Sequence, residues 1–318
     1  MTMFDKTEAR VVKAAFLPPA LAKRLDETCT LADWELLDEA ERQTAAENAR
    51  VLAVNGESVI TAEFIAQFPK LELIADFGVG YDGIDVAAAH ARGIAVTNTP
   101  GVLTDDVADM AMGLLLATSR QIVEAQRFVE RGEWAKGGFT WTKKVSGGKL
   151  GIAGMGRIGQ AIARRASGFD MVISYTDRQP IAGLPYAFAA DLKTLASEVD
   201  FLIICVNGGE KTRALVDAEI LTALGADGIL INIARGTVVD ETALIAALDA
   251  GTIAGAGLDV FEREPEVPAA LYGRPNVVVT PHMASATHAT RKAMGDLVFD
   301  NVAAHFSGEA LITPVTPY

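Results

Sequence analysis

Short apolar runs alternate with longer polar stretches of helical periodicity along the whole chain. In the first third, the apolar runs cover residues 11–17, 51–54, 73–76 and 94–97. After residue 148 the alternation starts again, with six runs at 150–153, 171–176, 201–206, 228–233, 256–260 and 277–280. Short uninterrupted apolar runs separated by helices are typical of parallel strands that are buried on both faces. The pattern therefore predicts an α/β protein with two parallel sheets, the second of six strands.

The longer segments predict the remaining elements. Residues 18–50 are polar and mainly helical in pattern, with a break near 28–34, and Thr61 has the spacing of a helix-capping residue. Residues 103–131 predict one long helix, which we interpret as a connection between domains. Residues 132–148 predict an irregular excursion, and residues 288–308 predict a C-terminal helix. If that last helix packs on the first unit, the first domain is discontinuous.

A glycine-rich turn follows the first strand of the second half. Gly154, Gly156 and Gly159 have the spacing Gly-x-Gly-x-x-Gly, and a helical pattern continues through residues 157–166. In such a strand–turn–helix the glycines permit the tight turn, close approach of a pyrophosphate and close packing of the helix. The next strand ends at Asp177, near the position of a ribose-binding acid. This context predicts a dinucleotide-binding site, although a lone glycine-rich turn also occurs for steric reasons.

Length and composition narrow the function classes. The chain has 318 residues, is 50% hydrophobic and carries a formal net charge of −13, so we expect about two domains and no nucleic-acid partner. No apolar run approaches the roughly 18 residues of a membrane helix, and the N-terminus has no signal-peptide core. Cys29 and Cys205 lie far apart, which argues against a structural zinc site and fits a reducing compartment. We expect a cytoplasmic protein without a membrane partner.

Three strand ends in the second half carry ionisable side chains of complementary chemistry. Arg235, Glu264 and His282 each follow one of the last three apolar runs, and ligands of doubly wound sheets bind at the carboxyl ends of the strands. Arginine can bind a carboxylate in a bidentate fork, and a histidine can give a proton to a carbonyl oxygen as hydride reaches the carbon. A carboxylate on the other ring nitrogen fixes the imidazole and favours its charged form. Together they predict reduction of a 2-oxo acid.

Each of these residues also has a structural interpretation. Arg235 could pair with a surface acid, Glu264 lies in an acidic stretch typical of a solvated loop, and a lone histidine such as His282 is more often structural than catalytic. Only the joint arrangement favours the catalytic interpretation.

Six ordered motifs resemble the D-isomer-specific 2-hydroxyacid dehydrogenase family. Within it the chain is most similar to the glyoxylate/hydroxypyruvate reductase and hydroxyphenylpyruvate reductase branch. The likeness spans essentially the whole chain and is carried by residues 77–85, 99–109, 154–160, 232–236, 258–265 and 280–285. The resemblance implies a flavodoxin-like substrate domain at 1–99 plus 288–318 and a Rossmann cofactor domain at 100–287. It also implies an active site between them and a homodimer, for which we expect Trp134 or Trp141 in the excursion to reach the partner's site.

The resemblance also assigns roles to individual residues. Arg235 would bind the substrate carboxylate and carbonyl, Glu264 would pair with the catalytic His282, and the backbone N–H groups of Val79 and Gly80 would hold the carboxylate. Asp259 would contact the nicotinamide amide. The other expected cofactor contacts are Thr104, Gly154, Gly156, Arg157, Ile158, Gly159, Asp177, Arg178, Val206, Ile233 and Ala234.

The nature of the cofactor is a choice between NADPH and NADH. Asp177 stands where NAD-preferring relatives carry the acid that accepts the ribose hydroxyls, and a carboxylate there repels a 2′-phosphate. Arg178 follows at once and resembles the arginine of NADPH-using reductases, which can pair with that phosphate together with Arg157. The resemblance to the reductase branch favours NADPH, and NADH stays possible.

The chain departs from the family pattern at two places. His282 is followed by Met283-Ala284 rather than Ile-Gly, and Val206-Asn-Gly-Gly209 replaces a common Pro-x-Thr after the corresponding strand, where the family makes adenosine-side contacts. The expected substrates are glyoxylate and hydroxypyruvate, with hydroxyphenylpyruvate as an alternative. A different class of function also stays open, because the fold resembles NAD-sensing transcriptional corepressors.

Overall fold

The computed structural model describes residues 4–316, which divide into two compact units. The first unit contains the chain up to Leu103 together with the segment from Ser285 onward, and the second runs from Thr104 to Ala284. Each has its own parallel sheet, so the predicted α/β fold with two doubly wound sheets is confirmed.

The first unit is built on a five-stranded sheet. Its order is β2-β1-β3-β4-β5, with every pairing parallel, which is the flavodoxin-like order. All of Val51–Val54 is fully buried, because helices cover both faces of such a sheet and leave no side of a central strand for water. The strands are β1 (Arg10–Lys13), β2 (Thr30–Asp33), β3 (Val51–Asn55), β4 (Leu73–Phe77) and β5 (Ala95–Thr97).

The helices of the first unit begin at side chains that accept N–H groups of the first turn. Thr61 accepts the N–H of Phe64, as its spacing predicts, and Asp38 forms a reciprocal capping box with Glu41. The last helix lies against β4 and the first helix, so the chain returns to this unit at its end. The helices are α1 (Pro19–Thr28), α2 (Glu39–Asn48), α3 (Ala62–Ala66), α4 (Val86–Ala91) and, last in the chain, α11 (His288–Phe306).

The second unit is built on a seven-stranded parallel sheet. Its order is β12-β11-β10-β9-β6-β7-β8, so the chain moves outward in one direction from β6 and then returns to its other side with β9. This reversal is the topological switch point where Rossmann folds bind dinucleotides. The strands are β6 (Lys149–Ala153), β7 (Val172–Thr176), β8 (Ala187–Phe188), β9 (Phe201–Ile204), β10 (Ile229–Asn232), β11 (Gly255–Leu258) and β12 (Val277–Val279).

Helices connect these strands and cover the sheet of the second unit. α5 packs along α7, where Arg165 forms ion pairs with Asp105 and Asp109. Among residues 4–316, none of the helices combines the length and apolar character needed to cross a bilayer. The helices of this unit are α5 (Thr104–Ser119), α6 (Ile122–Glu130), α7 (Arg157–Ser167), α8 (Leu192–Ser197), α9 (Ala218–Leu224) and α10 (Glu241–Asp249).

Three predicted features of the secondary structure are corrected. The single helix predicted over 103–131 is broken, because Gln121 has a left-handed backbone (φ 48°) and the Ser119 carbonyl accepts the N–H of Lys143 instead of continuing the helix. The break within 18–50 contains β2, which pairs with β1. The second sheet has a seventh strand, β8, whose two residues are too few to produce a periodic pattern.

Candidate active site

The glycine turn follows β6 at the switch point of the second sheet. Gly154 has φ +95°, and a Cβ on it would lie 2.8 Å from the carbonyl oxygen of Cys205. A Cβ on Gly159 would lie 2.1 Å from the carbonyl oxygen of Gly154. The first and third glycines are therefore required by the protein's own backbone, which packs turn, helix and β9 against one another.

Gly156 differs from the other two glycines. It is exposed, has an ordinary φ of −70°, and a Cβ on it would meet nothing within 4 Å. It precedes α7 without providing a side-chain cap, so the first N–H groups of that helix are directed outward with the positive end of the helix dipole. This open space at a helix N-terminus fits the pyrophosphate of a dinucleotide.

Cys205 supports the turn from beneath. Its Sγ donates to the carbonyl oxygen of Gly154 at 2.9 Å. Burial, with the nearby charge of Asp177, raises the pKa of this thiol to about 12, so the thiol keeps its proton and its donor role at physiological pH.

Three charged residues lie near the glycine turn: Asp177 and Arg178 directly follow β7, and Arg157 is the first residue of α7. The Asp177 carboxylate accepts the N–H of Met155 at 2.8 Å and that of Arg178 at 2.7 Å, so it is turned back onto the glycine turn and its own chain. Within residues 4–316, the guanidinium groups of Arg157 and Arg178 make neither an ion pair nor a hydrogen bond. Two cationic side chains are thus available beside one acid that is already engaged.

Arg235 lies in a turn that follows β10. The buried Asn232 shapes this turn, since its side chain accepts the N–H of Ala234 at 3.1 Å and donates to the carbonyl oxygen of Arg235 at 2.9 Å. The Arg235 guanidinium donates to the carbonyl oxygen of Ala234, and its charge helps to lower the pKa of Glu264. The turn therefore holds the arginine in the electrostatic neighbourhood of the acid.

Glu264 and His282 form a direct pair. Glu264 Oε2 lies 2.6 Å from His282 Nδ1, and Glu264 Oε1 accepts the N–H of Phe261 at 2.8 Å. Burial opposes ionisation of Glu264, but the hydrogen bond and charge of His282, with Phe261 and Arg235, outweigh it and lower the pKa of Glu264. This contribution to stability is present above glutamate's ordinary pKa and is lost as pH falls through the lowered value.

Asp259 holds the turn that carries His282. His282 has φ +48°, an uncommon conformation for a residue other than glycine. Asp259 is 1% exposed, and its carboxylate accepts the Thr280 hydroxyl at 2.6 Å and the N–H groups of Met283 and Ala284 at 3.0 and 2.9 Å. Bonds on both sides of His282 thus fix its backbone. We expect the Asp259 carboxylate to contact the nicotinamide amide as well, and in the structure it makes these three bonds within the protein.

Comparison with known proteins identifies the family. Residues 112–284 match the family model for the D-isomer specific 2-hydroxyacid dehydrogenase NAD binding domain. The chain is 48% identical over 270 residues to hydroxyphenylpyruvate reductase of Plectranthus scutellarioides, covering 85% of this chain and 86% of that protein. It is 46% identical over 273 residues to a glyoxylate/hydroxypyruvate reductase A of Arabidopsis thaliana, covering 86% and 87%. The chain belongs to the D-isomer-specific 2-hydroxyacid dehydrogenase family.

Solved structures agree with this assignment. The NADPH-dependent glyoxylate/hydroxypyruvate reductase of Sinorhizobium meliloti, in complex with NADP and malonate, superposes with a TM-score of 0.90 at 44% identity, covering 98% of this chain and 97% of that one. The protein is therefore an oxidoreductase with an NAD(P)-binding Rossmann unit, and the family resemblance of its six motifs is confirmed.

The other predicted site residues lie in both units. Val79 and Gly80 follow β4 in the first unit, whereas Thr104 begins α5 in the second. Val206 lies against the glycine turn, its backbone nitrogen 3.0 Å from the position of a Gly154 Cβ. Ile158 lies in the first turn of α7, and Ile233 and Ala234 are buried in the turn before Arg235.

Three residues with a role in site geometry were not predicted from the sequence as site residues. Asn232 shapes the Arg235 turn, Thr280 bonds the Asp259 carboxylate, and Glu241 accepts the N–H of Glu262 at 2.8 Å. Asn232 alone carries a local indication, because asparagine two residues before its N–H partner is the pattern of an Asx-turn. The partners of Thr280 and Glu241 are each about 20 residues away along the chain, so no local pattern indicates them.

Proposed function

We propose that this protein reduces small 2-oxo acids, glyoxylate and hydroxypyruvate, to D-2-hydroxy acids with a reduced nicotinamide cofactor, NADPH being preferred. The observation that carries the proposal is the Glu264–His282 pair at 2.6 Å, next to Arg235 and in the same Rossmann unit as the glycine turn. Two relatives, from Arabidopsis thaliana and Sinorhizobium meliloti, are named as reductases of these two acids.

We assign the proton transfer to His282. Nδ1 is bonded to Glu264, so Nε2 is the nitrogen that gives its proton to the substrate's carbonyl oxygen. The lowered pKa of Glu264 keeps this carboxylate ionised, and its charge stabilises the imidazolium before the transfer. The Asp259 bonds that fix the turn around His282 keep the ring in place for the substrate.

We assign substrate binding to Arg235. Its planar guanidinium can bind the substrate carboxylate through two parallel hydrogen bonds, which also orients the neighbouring keto group. Val79 and Gly80, in the first unit, stay predicted as further donors to that carboxylate.

We assign cofactor binding to the switch point of the second sheet. Gly154, Gly156 and Gly159 with the N-terminus of α7 would hold the pyrophosphate, Asp259 would accept from the nicotinamide amide with its remaining lone pair, and Thr104, Val206, Ile233 and Ala234 would line the site. When bound, the reduced nicotinamide supplies the hydride to the keto carbon.

A substrate panel tests the proposed function. Glyoxylate, hydroxypyruvate and 4-hydroxyphenylpyruvate are each incubated with NADPH and NADH, the loss of reduced cofactor is followed by absorbance, and the product is resolved on a chiral column. We expect turnover of the two small acids and a D-configured product. Faster turnover of 4-hydroxyphenylpyruvate would instead support the second candidate, which rests on the 48% identical relative. Tight NADPH binding without turnover of any acid would support a cofactor-sensing binding module.

The preference for NADPH is tested at Arg178. Since Asp177 is held by Met155 and Arg178 N–H groups, the Arg178 guanidinium has no competing acid and can pair with a 2′-phosphate. Arg178→Ala should raise the Kd for NADPH about tenfold or more, as for a lost charge-assisted bond of about 1.5–3 kcal/mol, and change the Kd for NADH less than about twofold. Titration by cofactor fluorescence measures both, with Arg164→Ala, which removes an exposed arginine of α7, as the matched control. Equal losses for the two cofactors would contradict the proposal.

A homodimer is the assembly that the second unit supports. None of the described residues of α6 is buried, although Ile122 and Val129 are apolar, and Trp134 and Trp141 are 69% and 99% exposed. Apolar side chains left exposed on one helix and on the segment that follows it are typical of a subunit interface. We expect sedimentation to give a dimer, which Val129→Asp weakens, and Trp141→Ala to impair turnover if this side chain reaches the partner's site. A concentration-independent monomer would contradict the assembly.

A cytoplasmic location stays a prediction. It is supported by the two cysteines, which are both unpaired: Cys29 is buried in the first unit and Cys205 lies under the glycine turn of the second. Two cysteines that form no disulfide fit a reducing compartment.

A further inference from the structure

The turn that carries Glu264 is held at two neighbouring backbone N–H groups. Glu264 itself accepts the N–H of Phe261 at 2.8 Å, and Glu241 accepts the next N–H, that of Glu262, also at 2.8 Å. The first bond connects the acid to its own turn. The second fastens the turn to a different element, the start of α10, so that the peptide between Phe261 and Glu262 cannot rotate without losing a bond.

The same peptide is in backbone contact with the Arg235 turn. A Cβ on the buried Gly236 would lie 1.8 Å from the carbonyl carbon of Phe261 and 2.3 Å from the nitrogen of Glu262. The segment from Arg235 to Glu241 thus contacts the peptide twice, through the main chain of Gly236 and through the side chain of Glu241. The turn of the substrate anchor and the turn of the acid that orients His282 form one connected structure.

The position of Glu241 is not explained by the needs of its own helix. Asp240 already caps α10 by accepting the N–H of Ala243 at 2.9 Å. Burial raises the pKa of Glu241, the charges of Glu262 and Glu264 raise it further, and Arg263 and the Glu262 N–H oppose them. A carboxylate placed only to favour the helix dipole would have a lowered pKa. Burial and the two neighbouring acids therefore disfavour the charged form of Glu241. The contact that its side chain makes at this position is the hydrogen bond from the Glu262 N–H.

We propose that Glu241 is a positioning residue for the reduction: its carboxylate, by binding the Glu262 N–H, holds the turn that keeps Glu264 against Nδ1 of His282. The inference rests on the proposed function. Glu241 acts through Glu264, and it touches neither substrate nor cofactor.

Steady-state kinetics of single variants give the first test. Glu241→Ala removes the acceptor and should lower kcat about 10- to 100-fold, as expected for misplacement of a catalytic group, with less than about threefold change in the Kd for NADPH. Glu241→Gln keeps an oxygen acceptor and should stay within about threefold of the unaltered protein. Glu241→Asp keeps the charge but is one methylene too short, so it should lose activity like the alanine variant, and it serves if Glu241→Ala does not fold. Glu219→Ala, which removes a first-turn acid of the neighbouring helix α9, is the matched control.

A double variant separates positioning from a general structural role. If Glu241 acts only through Glu264, the activity of Glu241→Ala/Glu264→Gln should equal that of Glu264→Gln alone. Losses that multiply, or a Glu241→Ala variant as active as Glu219→Ala, would overturn the proposal.

A histidine titration by NMR provides a readout that needs no turnover. The signal of His282 is assigned by its absence in His282→Asn, and its midpoint is compared among the unaltered protein, Glu241→Ala and Glu264→Gln. Loss of the Glu264 contact should lower the midpoint, and we expect Glu241→Ala to lie close to Glu264→Gln. An unshifted midpoint in Glu241→Ala would contradict the inference, whether or not the protein is active. A protein that reduces no acid in the substrate panel would refute the proposed function alone, because the midpoints would still test the role of Glu241.

Discussion

Replacing His282 with asparagine should lower kcat at least about 10³-fold and leave the Kd for NADPH within about threefold. General acid catalysis by a positioned side chain contributes roughly 10²–10⁴-fold, and an amide cannot provide this proton. Asparagine is the suitable substitute because His282 has φ +48°, a conformation that asparagine tolerates better than most residues. The bonds that Asp259 makes to Thr280, Met283 and Ala284 do not involve the imidazole, so the turn should persist. Stopped-flow and steady-state assays with glyoxylate measure the loss.

Two further variants define what the loss at His282 means. Glu264→Gln keeps a hydrogen-bond acceptor near Nδ1 but removes the charge, so its kcat should fall less than that of His282→Asn. His90→Asn, at the end of α4 in the first unit, is the matched histidine control and should behave as the unaltered protein. Activity of His282→Asn within tenfold of the unaltered protein would contradict the role of general acid.

The architecture could be predicted from the apolar runs because parallel strands have a simple requirement. Val51–Val54 and Phe201–Ile204 are buried on both faces, so each appears as an unbroken apolar run bounded by polar helices. Elements set by contacts between distant segments could not be predicted in this way. β8 exists because Ala187 pairs with Ser174, and the break after Ser119 depends on a bond from Lys143. The apolar pattern continues through that break, so periodicity alone favoured one helix.

The site residues, too, could be predicted only in part from the sequence. Gly154, Gly156 and Gly159 lie close together in sequence, and their spacing between an apolar run and a helical pattern predicts a phosphate-binding turn. Arg235, Glu264 and His282 could be singled out because strand ends of a parallel sheet meet at one edge, and their side-chain chemistry together with the family resemblance predicted their roles. The partners that hold them were not predictable: Asp259 binds three groups that follow another strand, and Glu241 binds a peptide N–H 21 residues away. Such bonds exist only after the sheet has formed.

The second large effect is expected at Gly156, where the protein's own backbone does not require a glycine and where we propose that the cofactor does. Its φ of −70° is accessible to any residue and a Cβ would meet nothing within 4 Å, so Gly156→Ala should fold with a Tm close to that of the unaltered protein, lowered only by the weaker N-cap. The added methyl group would occupy the space at the N-terminus of α7 where the pyrophosphate approaches the backbone. We expect the Kd for NADPH to rise about 100-fold or more. Thermal unfolding with and without NADPH measures both quantities on one protein.

Gly159→Ala is the comparison variant for Gly156→Ala. Its Cβ would lie 2.1 Å from the carbonyl oxygen of Gly154, so turn and helix must separate and Tm should fall even without cofactor. For the unaltered protein, NADPH at 100 times its Kd adds about 2.7 kcal/mol to the free energy of unfolding. Gly156→Ala should lose this gain at the same NADPH concentration while keeping its stability without cofactor. A normal NADPH-induced rise in Tm for Gly156→Ala would show that the open space beside Gly156 is not where the pyrophosphate binds, and the assignment of the turn would fail with it.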